Sequence, residues 1–338
     1  MRDGTLLCPH RIFRSTANLL TFILWLAVLA ALAVAALIAY YAWTTRKLAA
    51  TAEKNIPMAG NTVRIGGDTI HYVEEGDGPP ILFIHGLGGQ LHHFRQPLFA
   101  ALRDDYRLVA IDRPGSGYSV RNGSGAGIRA QAGVVAKLIE RLGLEKPLLV
   151  GHSLGGAIAL ATALDHPEKV SGLALLAPLT HHQGQRPEGF KGLYIPSPAK
   201  RAFLAHTFAI PMALKQAQVT LDFVFGPQTV TEDYAIGGGG YLGLRPSHFE
   251  ATAADFVAGG EDLPAQEKRY GELAMPVGIL FGDKDRVLDH RVHGLAMEGK
   301  VKGLDLEILE GIGHMPQFVE PERSAAFIRR MAEKAFAR

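Results

Sequence analysis

The stretch "LLVGHSLGGAIAL", residues 148–160, holds one serine among glycines where the chain changes character. Leu148 to Val150 read as the end of a buried parallel strand, because such strands are continuous apolar runs. From Leu154 onward the residues favour a helix. A strand that becomes a helix without a loop must bend sharply. Gly151 and Gly155 remove the Cβ atoms that would collide there. The apex, Ser153, is then strained and projects its side chain out of the sheet, the Gly-x-Ser-x-Gly pattern of a nucleophile elbow. The helix start also offers unpaired backbone amides, that of Leu154 among them, which can hold a developing oxyanion.

A serine hydroxyl is a poor nucleophile until a base removes its proton. Histidine has the near-neutral pKa this needs, and a carboxylate must fix its tautomer. His314 lies in "GIGHMP", after the apolar run 304–309. Asp283, Asp285 and Asp289 cluster after Phe281, and the residues alone leave the choice among them open. The pairs His92–His93 and His181–His182 lack the i, i+4 spacing of a helical zinc motif. Cys8 is the only cysteine, which excludes an internal disulfide and a cysteine-built zinc site. Neither a metal nor any other cofactor is expected.

The elements that must position these groups follow an alternating pattern. A hairpin is predicted at 62–65 and 69–73, turning at Gly66-Gly67-Asp68. Strands follow at 81–85, 106–111, 147–152, 170–177, 277–281 and 304–309, with helices at 128–142, 154–165 and 320–335. Such alternation gives an α/β fold, a mainly parallel sheet with helices on both faces. His181 to Asp262 breaks it. That interval reads as a helical cap inserted at the carboxyl end of a strand, where insertions overlie a site. Its run Gly237–Gly240 suits either a hinge or a plain loop.

Leu19 to Trp43 is free of charge. At about 1.5 Å per residue it can cross a hydrocarbon core of about 30 Å. Tyr40, Tyr41 and Trp43 stand where an aromatic belt would lie. A cleaved signal peptide is the rival, but its apolar region is usually only about 7–15 residues long. Arg2, Arg11 and Arg14 precede the span and Arg46, Lys47 and Lys54 follow it, so the side taken by the body is undetermined. The expected division is an N-terminal flank (1–18), a transmembrane anchor (19–43), a polar linker (44–60), a first core segment (61–180), the cap (181–262) and a second core segment (263–338). The net charge of +2 gives no reason to expect nucleic acid. Protein partners are not indicated.

Five stretches, in order, resemble the signatures of the α/β-hydrolase family over about residues 60–336. "FIHGLGG" (83–89) resembles its oxyanion turn and "IDRPGSGYS" (111–119) the loop after its fourth strand. "GHSLGG" (151–156) is similar to its elbow, and "FGDKDRVLD" (281–289) and "GIGHMPQFVEP" (311–321) to its acid and histidine loops. The resemblance implies a triad of Ser153, Asp285 and His314, with Asp285 chosen by the family spacing G-x-x-D from Gly282. It implies the Leu87 amide as second oxyanion donor beside Leu154, with His85, Asp112 and Arg113 bracing loops.

Within that family, the apolar cap (Phe203, Leu204, Phe208, Ile210, Met212 and Leu214 among others) and the anchor resemble membrane-anchored lipases of the monoacylglycerol type. A small-molecule or lipid ester is the implied substrate. Haloalkane dehalogenases and epoxide hydrolases share the loops but carry aspartate at the elbow, unlike Ser153. Serine-dependent carbon–carbon hydrolases, cofactor-free haloperoxidases and a non-catalytic binding protein on the same scaffold are the alternatives. Residues before about 55 carry none of the five signatures, so the anchor is expected to be separable from the chemistry.

Overall fold

The computed structural model describes residues 10–184 and 188–337. Cys8 and the start of the expected N-terminal flank lie outside them. Helix α1 (His10–Asn55) leads into strands β1 (Asn61–Ile65), β2 (Asp68–Glu75) and β3 (Pro80–Ile84). Then come α2 (His92–Leu102), β4 (Arg107–Ile111), α3 (Ile128–Arg141), β5 (Leu148–His152), α4 (Leu154–Asp165) and β6 (Gly172–Leu176). Between β6 and β7 (Val277–Gly282) lie the inserted helices α5 (Pro198–Ala205), α6 (Ala209–Lys215), α7 (Ala217–Phe225), α8 (Pro246–Ala258) and α9 (Leu263–Gln266). The chain closes with α10 (His290–His293), β8 (Asp305–Leu309), α11 (Pro316–Val319) and α12 (Pro321–Phe336).

The eight strands form one sheet in the order β1-β2-β4-β3-β5-β6-β7-β8. Only β2 runs antiparallel to its neighbours β1 and β4; from β4 to β8 every pairing is parallel. Continuous apolar runs form these strands because both faces are covered. In β3, Ile81 and Phe83 pack with α2 and α12, while Leu82 and Ile84 pack with α3 and α4. Phe83 is fully buried and meets the rings of Phe94 and Phe99. Truncating such a core aromatic to alanine typically costs about 3–5 kcal/mol.

The expected linker across 44–60 is not a linker over most of its length. Helix α1 continues to Asn55, since "TTRKLAATAEKN" contains no breaker and is rich in helix formers. Its inner face recurs at helical spacing: Ile38, Tyr41, Ala42, Thr45, Leu48, Ala49, Ala52 and Ile56 are wholly or partly covered, and the residues between are mostly exposed. Thr45 Oγ1 donates to the Thr207 carbonyl at 2.6 Å, Glu53 pairs with Arg245 at 2.8 Å, and the Tyr118 hydroxyl donates to the Ile56 carbonyl at 2.5 Å. Residues 44–56 are therefore docked on the cap and on the loop after β4.

Candidate active site

Ser153 sits between β5 and α4 with φ 53° and ψ −118°, a conformation that costs on the order of 1–3 kcal/mol for a residue with a Cβ. The surroundings hold it there. Its amide donates to the Leu176 carbonyl at 3.1 Å, and its carbonyl accepts from Gly156 at 2.9 Å and Leu179 at 3.0 Å. A side chain on Gly155 would collide with the carbonyl oxygens of Ile84 and His85, which explains the second glycine of the elbow. Gly86 is constrained in the same way: a Cβ there would stand 3.0 Å from Ser153 Cβ. The turn after β3 thus lies directly against the elbow.

His314 lies in the loop between β8 and α11 and is 4% exposed. Its Nδ1 is 2.6 Å from Asp285 Oδ2, so with Nδ1–H given to the carboxylate, Nε2 is the basic nitrogen. Asp285 Oδ1 accepts from the amides of Val287 at 2.7 Å and Leu288 at 2.9 Å. The other two aspartates of the sequence cluster are occupied elsewhere. Asp283 Oδ1 accepts from the Gly311 amide at 2.6 Å, and Asp289 caps α10 through the Arg291 amide at 2.8 Å. Leu154 opens α4, so its amide has no helical acceptor. The Leu87 amide makes no hydrogen bond to another described residue.

The braces reach further than the sequence suggests. His85 accepts the Arg113 amide on Nε2 at 2.9 Å and lies 2.8 Å from the Gly86 carbonyl through Nδ1, which assigns the proton to Nδ1. Burial, reinforced by the Arg113 charge, pushes this imidazole well below its usual range. The Arg113 guanidinium is buried. It donates to the carbonyls of His85 and Gly86 at 2.9 Å each, to Gln131 at 2.7 Å and to Asp255 of α8 at 2.5 Å. Asp112 accepts from Leu91 and Tyr118 at 2.8 Å each and pairs with His71 at 2.7 Å. Burial, the largest influence on His71, lowers its pKa, but the Asp112 bond and charge and the Ala59 carbonyl outweigh it and the net shift is upward.

Four residues that the motifs did not single out complete the frame. His152 donates Nε2–H to the His314 carbonyl at 2.9 Å, and the two rings lie 4.8 Å apart. Burial, and then the neighbouring His314 charge, pushes His152 well down, so it is neutral. His248 of α8 accepts the Gly117 amide on Nδ1 and contacts the Gly88 carbonyl through Nε2, each at 3.1 Å. Gln228 accepts the Gly313 amide at 3.0 Å and donates to the Gly311 carbonyl at 2.7 Å, clamping the histidine loop. Gln90 donates to the carbonyl of Gly238, inside the four-glycine run, at 2.7 Å. These are contacts between segments distant in sequence, and only the presence of His152 inside the elbow motif gave any local signal.

Of the histidine pairs, His93 lies against the turn after β3, where a side chain on Gly89 would stand 3.0 Å from its Nδ1 and 3.2 Å from that of His85. His93 packs on Tyr234 and Phe318, and His181 accepts from Lys300 Nζ at 2.6 Å. Among the described residues no group of three or more His, Cys, Asp or Glu could hold a metal. Of the apolar cap residues, Phe203, Met212 and Leu214 are 48%, 46% and 42% exposed, while Ile210 and Phe225 are buried.

Residues 79–208 match the α/β-hydrolase fold family. The chain has the α/β-hydrolase fold. It is 28% identical over 262 residues to a 2-hydroxy-6-oxononadienedioate/2-hydroxy-6-oxononatrienedioate hydrolase of Burkholderia vietnamiensis, covering 75% of this chain and 87% of that protein. The structure of a membrane phospholipase A is similar at TM-score 0.60 and 25% identity, over 93% of this chain and 98% of that one. An esterase of Exiguobacterium antarcticum shares the fold at TM-score 0.63 and 22% identity, over 81% and 100%. The protein is a hydrolase of the α/β fold with one long apolar N-terminal helix, acting on a small-molecule substrate.

Proposed function

We propose that the protein is a membrane-anchored serine hydrolase that cleaves carboxylic esters with apolar acyl groups through an acyl-enzyme. The observation that carries this reading is the hydrogen-bonded pair His314–Asp285, whose histidine carbonyl is held by His152, the residue before the strained Ser153. In the proposed mechanism, Ser153 Oγ attacks the ester carbonyl while His314 Nε2 takes its proton. The amides of Leu87 and Leu154 hold the oxyanion, each such donor being worth about 2.7–4 kcal/mol. His314 then protonates the leaving alcohol and activates the water that releases the acid. Asp285 holds the ring in one tautomer throughout.

Anchoring by α1 is part of the same reading. Its segment Asn18–Asn55 has mean hydropathy 2.8 over its most apolar window, none of which is buried. Residues 61–338 are too few to supply 93% coverage alone, so the likeness to the membrane phospholipase A takes in part of α1. A carbon–carbon hydrolase is the second reading, favoured by the relative from Burkholderia vietnamiensis. That relative's named substrate is a dicarboxylate, which calls for cations. Here Arg113 is the one arginine or lysine buried among the described residues, and it is committed to Asp255, Gln131 and two carbonyls. The test is parallel turnover of a p-nitrophenyl acyl ester series and a 2-hydroxy-6-oxo-dienoate by the full chain in detergent. Ester turnover rising with acyl length supports the first reading, and preference for the dienoate supports the second.

A further inference from the structure

The cap reaches the apolar part of α1. Tyr41 packs against Phe208, which joins α5 to α6, with ring centroids 4.9 Å apart and the planes tilted by 56°, and Phe208 is 6.1 Å from Phe203. A helix needs about 20 apolar residues to cross a hydrocarbon core. Counted from Leu19, that crossing ends near Ile38, which puts Tyr40, Tyr41 and Trp43 at the headgroup level. Tyr40 and Trp43 are 57% and 59% exposed, as lipid-facing belt residues would be. Because α1 runs unbroken through Thr45, which is bonded to Thr207, the cap stands beside the same level.

Helices α5–α7 carry several exposed apolar side chains, with the exposed Asp222 on α7. Phe203, Met212, Leu214 and Val219 are 48%, 46%, 42% and 72% exposed. Lys200 and Lys215 are exposed on the same helices, as are Arg46 and Lys47 on α1. Apolar tips among cations suit an interface with anionic headgroups, where basic side chains meet phosphate and the tips enter the acyl boundary.

We propose that the outer face of α5–α7 is a membrane-contact surface that seats the cap on the leaflet from which α1 emerges. The proposal rests on α1 being a retained span but not on the identity of the substrate. The bilayer, rather than a partner protein, is its occupant, because the face is continuous with a helix that already lies in lipid.

The test is spin labelling of the full chain in nanodiscs of phosphatidylcholine and phosphatidylglycerol. In a Cys8→Ser background, Phe203→Cys, Val219→Cys, Leu29→Cys and Lys137→Cys each carry one nitroxide. Oxygen partitions into lipid and a nickel chelate stays in water. The expected result is oxygen-favoured relaxation at 29, 203 and 219 and nickel-favoured relaxation at 137. Nickel accessibility at 203 and 219 equal to that at 137, with 29 still in lipid, overturns the proposal and leaves the anchor. Spin–spin broadening at 203 or 219 that vanishes when each disc holds one chain means that a second copy covers the face, and also overturns it. A nickel-accessible 29 removes the anchor and the proposal together. Failure to turn over esters alters none of these readings.

Discussion

Cutting the chain at two places on α1 separates its exposed apolar part from the turns that dock on the cap. A form beginning at Thr44 keeps the docked turns, and a form beginning at Asn55 loses them. The second form gives up the Thr45–Thr207 hydrogen bond, worth about 1 kcal/mol. It also loses the part-exposed Glu53–Arg245 pair, worth at most about 1 kcal/mol, and the burial of the Ala52 methyl, worth roughly 0.8 kcal/mol. The sum is about 2–3 kcal/mol, or roughly 3–5 °C in melting temperature at an unfolding entropy of about 2.1 cal/mol/K per residue. Arg245, which stacks on Tyr118 and bonds to the Gly117 carbonyl, also loses its carboxylate partner beside the loop after β4. The assay is thermal unfolding followed by circular dichroism, with kcat/KM on a short soluble ester. The form beginning at Thr44 is expected to match the full chain in turnover, and the form beginning at Asn55 to melt lower. Equal melting temperatures for the two forms would refute the docking argument.

Asp285→Asn leaves the fold intact but mis-sets the His314 tautomer, lowering kcat on the order of 10⁴-fold by the general triad precedent. Asp283→Asn is expected to cost far less, since that carboxylate serves the Gly311 amide; steady-state kinetics of both variants decides. Stability is expected to fall with acid. Burial holds His93 down to about 3 and His293 down to about 4, so below the ordinary value near 6.5 the unfolded chain takes up protons that the native one refuses. At about pH 5 this removes on the order of 2 kcal/mol per group relative to neutral pH, read as a lower urea midpoint, and a flat midpoint across that range contradicts it.

Most of the sheet is legible in the sequence because parallel strands covered on both faces must be apolar throughout, as in Ile81–Ile84 and Leu148–Val150. The elbow is legible because Gly155 has no alternative at its closeness to the Ile84 carbonyl. Helix α2 is not, since Pro97 within it reads as a breaker and Leu91 supplies no side-chain cap. The docked part of α1 favours helix by composition, and what the sequence hides is its partner: only the cap covers the inner face of "TTRKLAATAEKN". His248, Asp255, Gln228 and Gln90 are invisible for a related reason. Each acts on a loop far away in sequence, and no local spacing encodes where the cap comes down.

Treatment of the full chain with a fluorophosphonate, followed by peptide mass spectrometry, tests the central claim most directly. The account predicts irreversible addition at Ser153 Oγ, with labelling and ester turnover both abolished in Ser153→Ala. A label on any other residue, or undiminished ester turnover in Ser153→Ala, would contradict it.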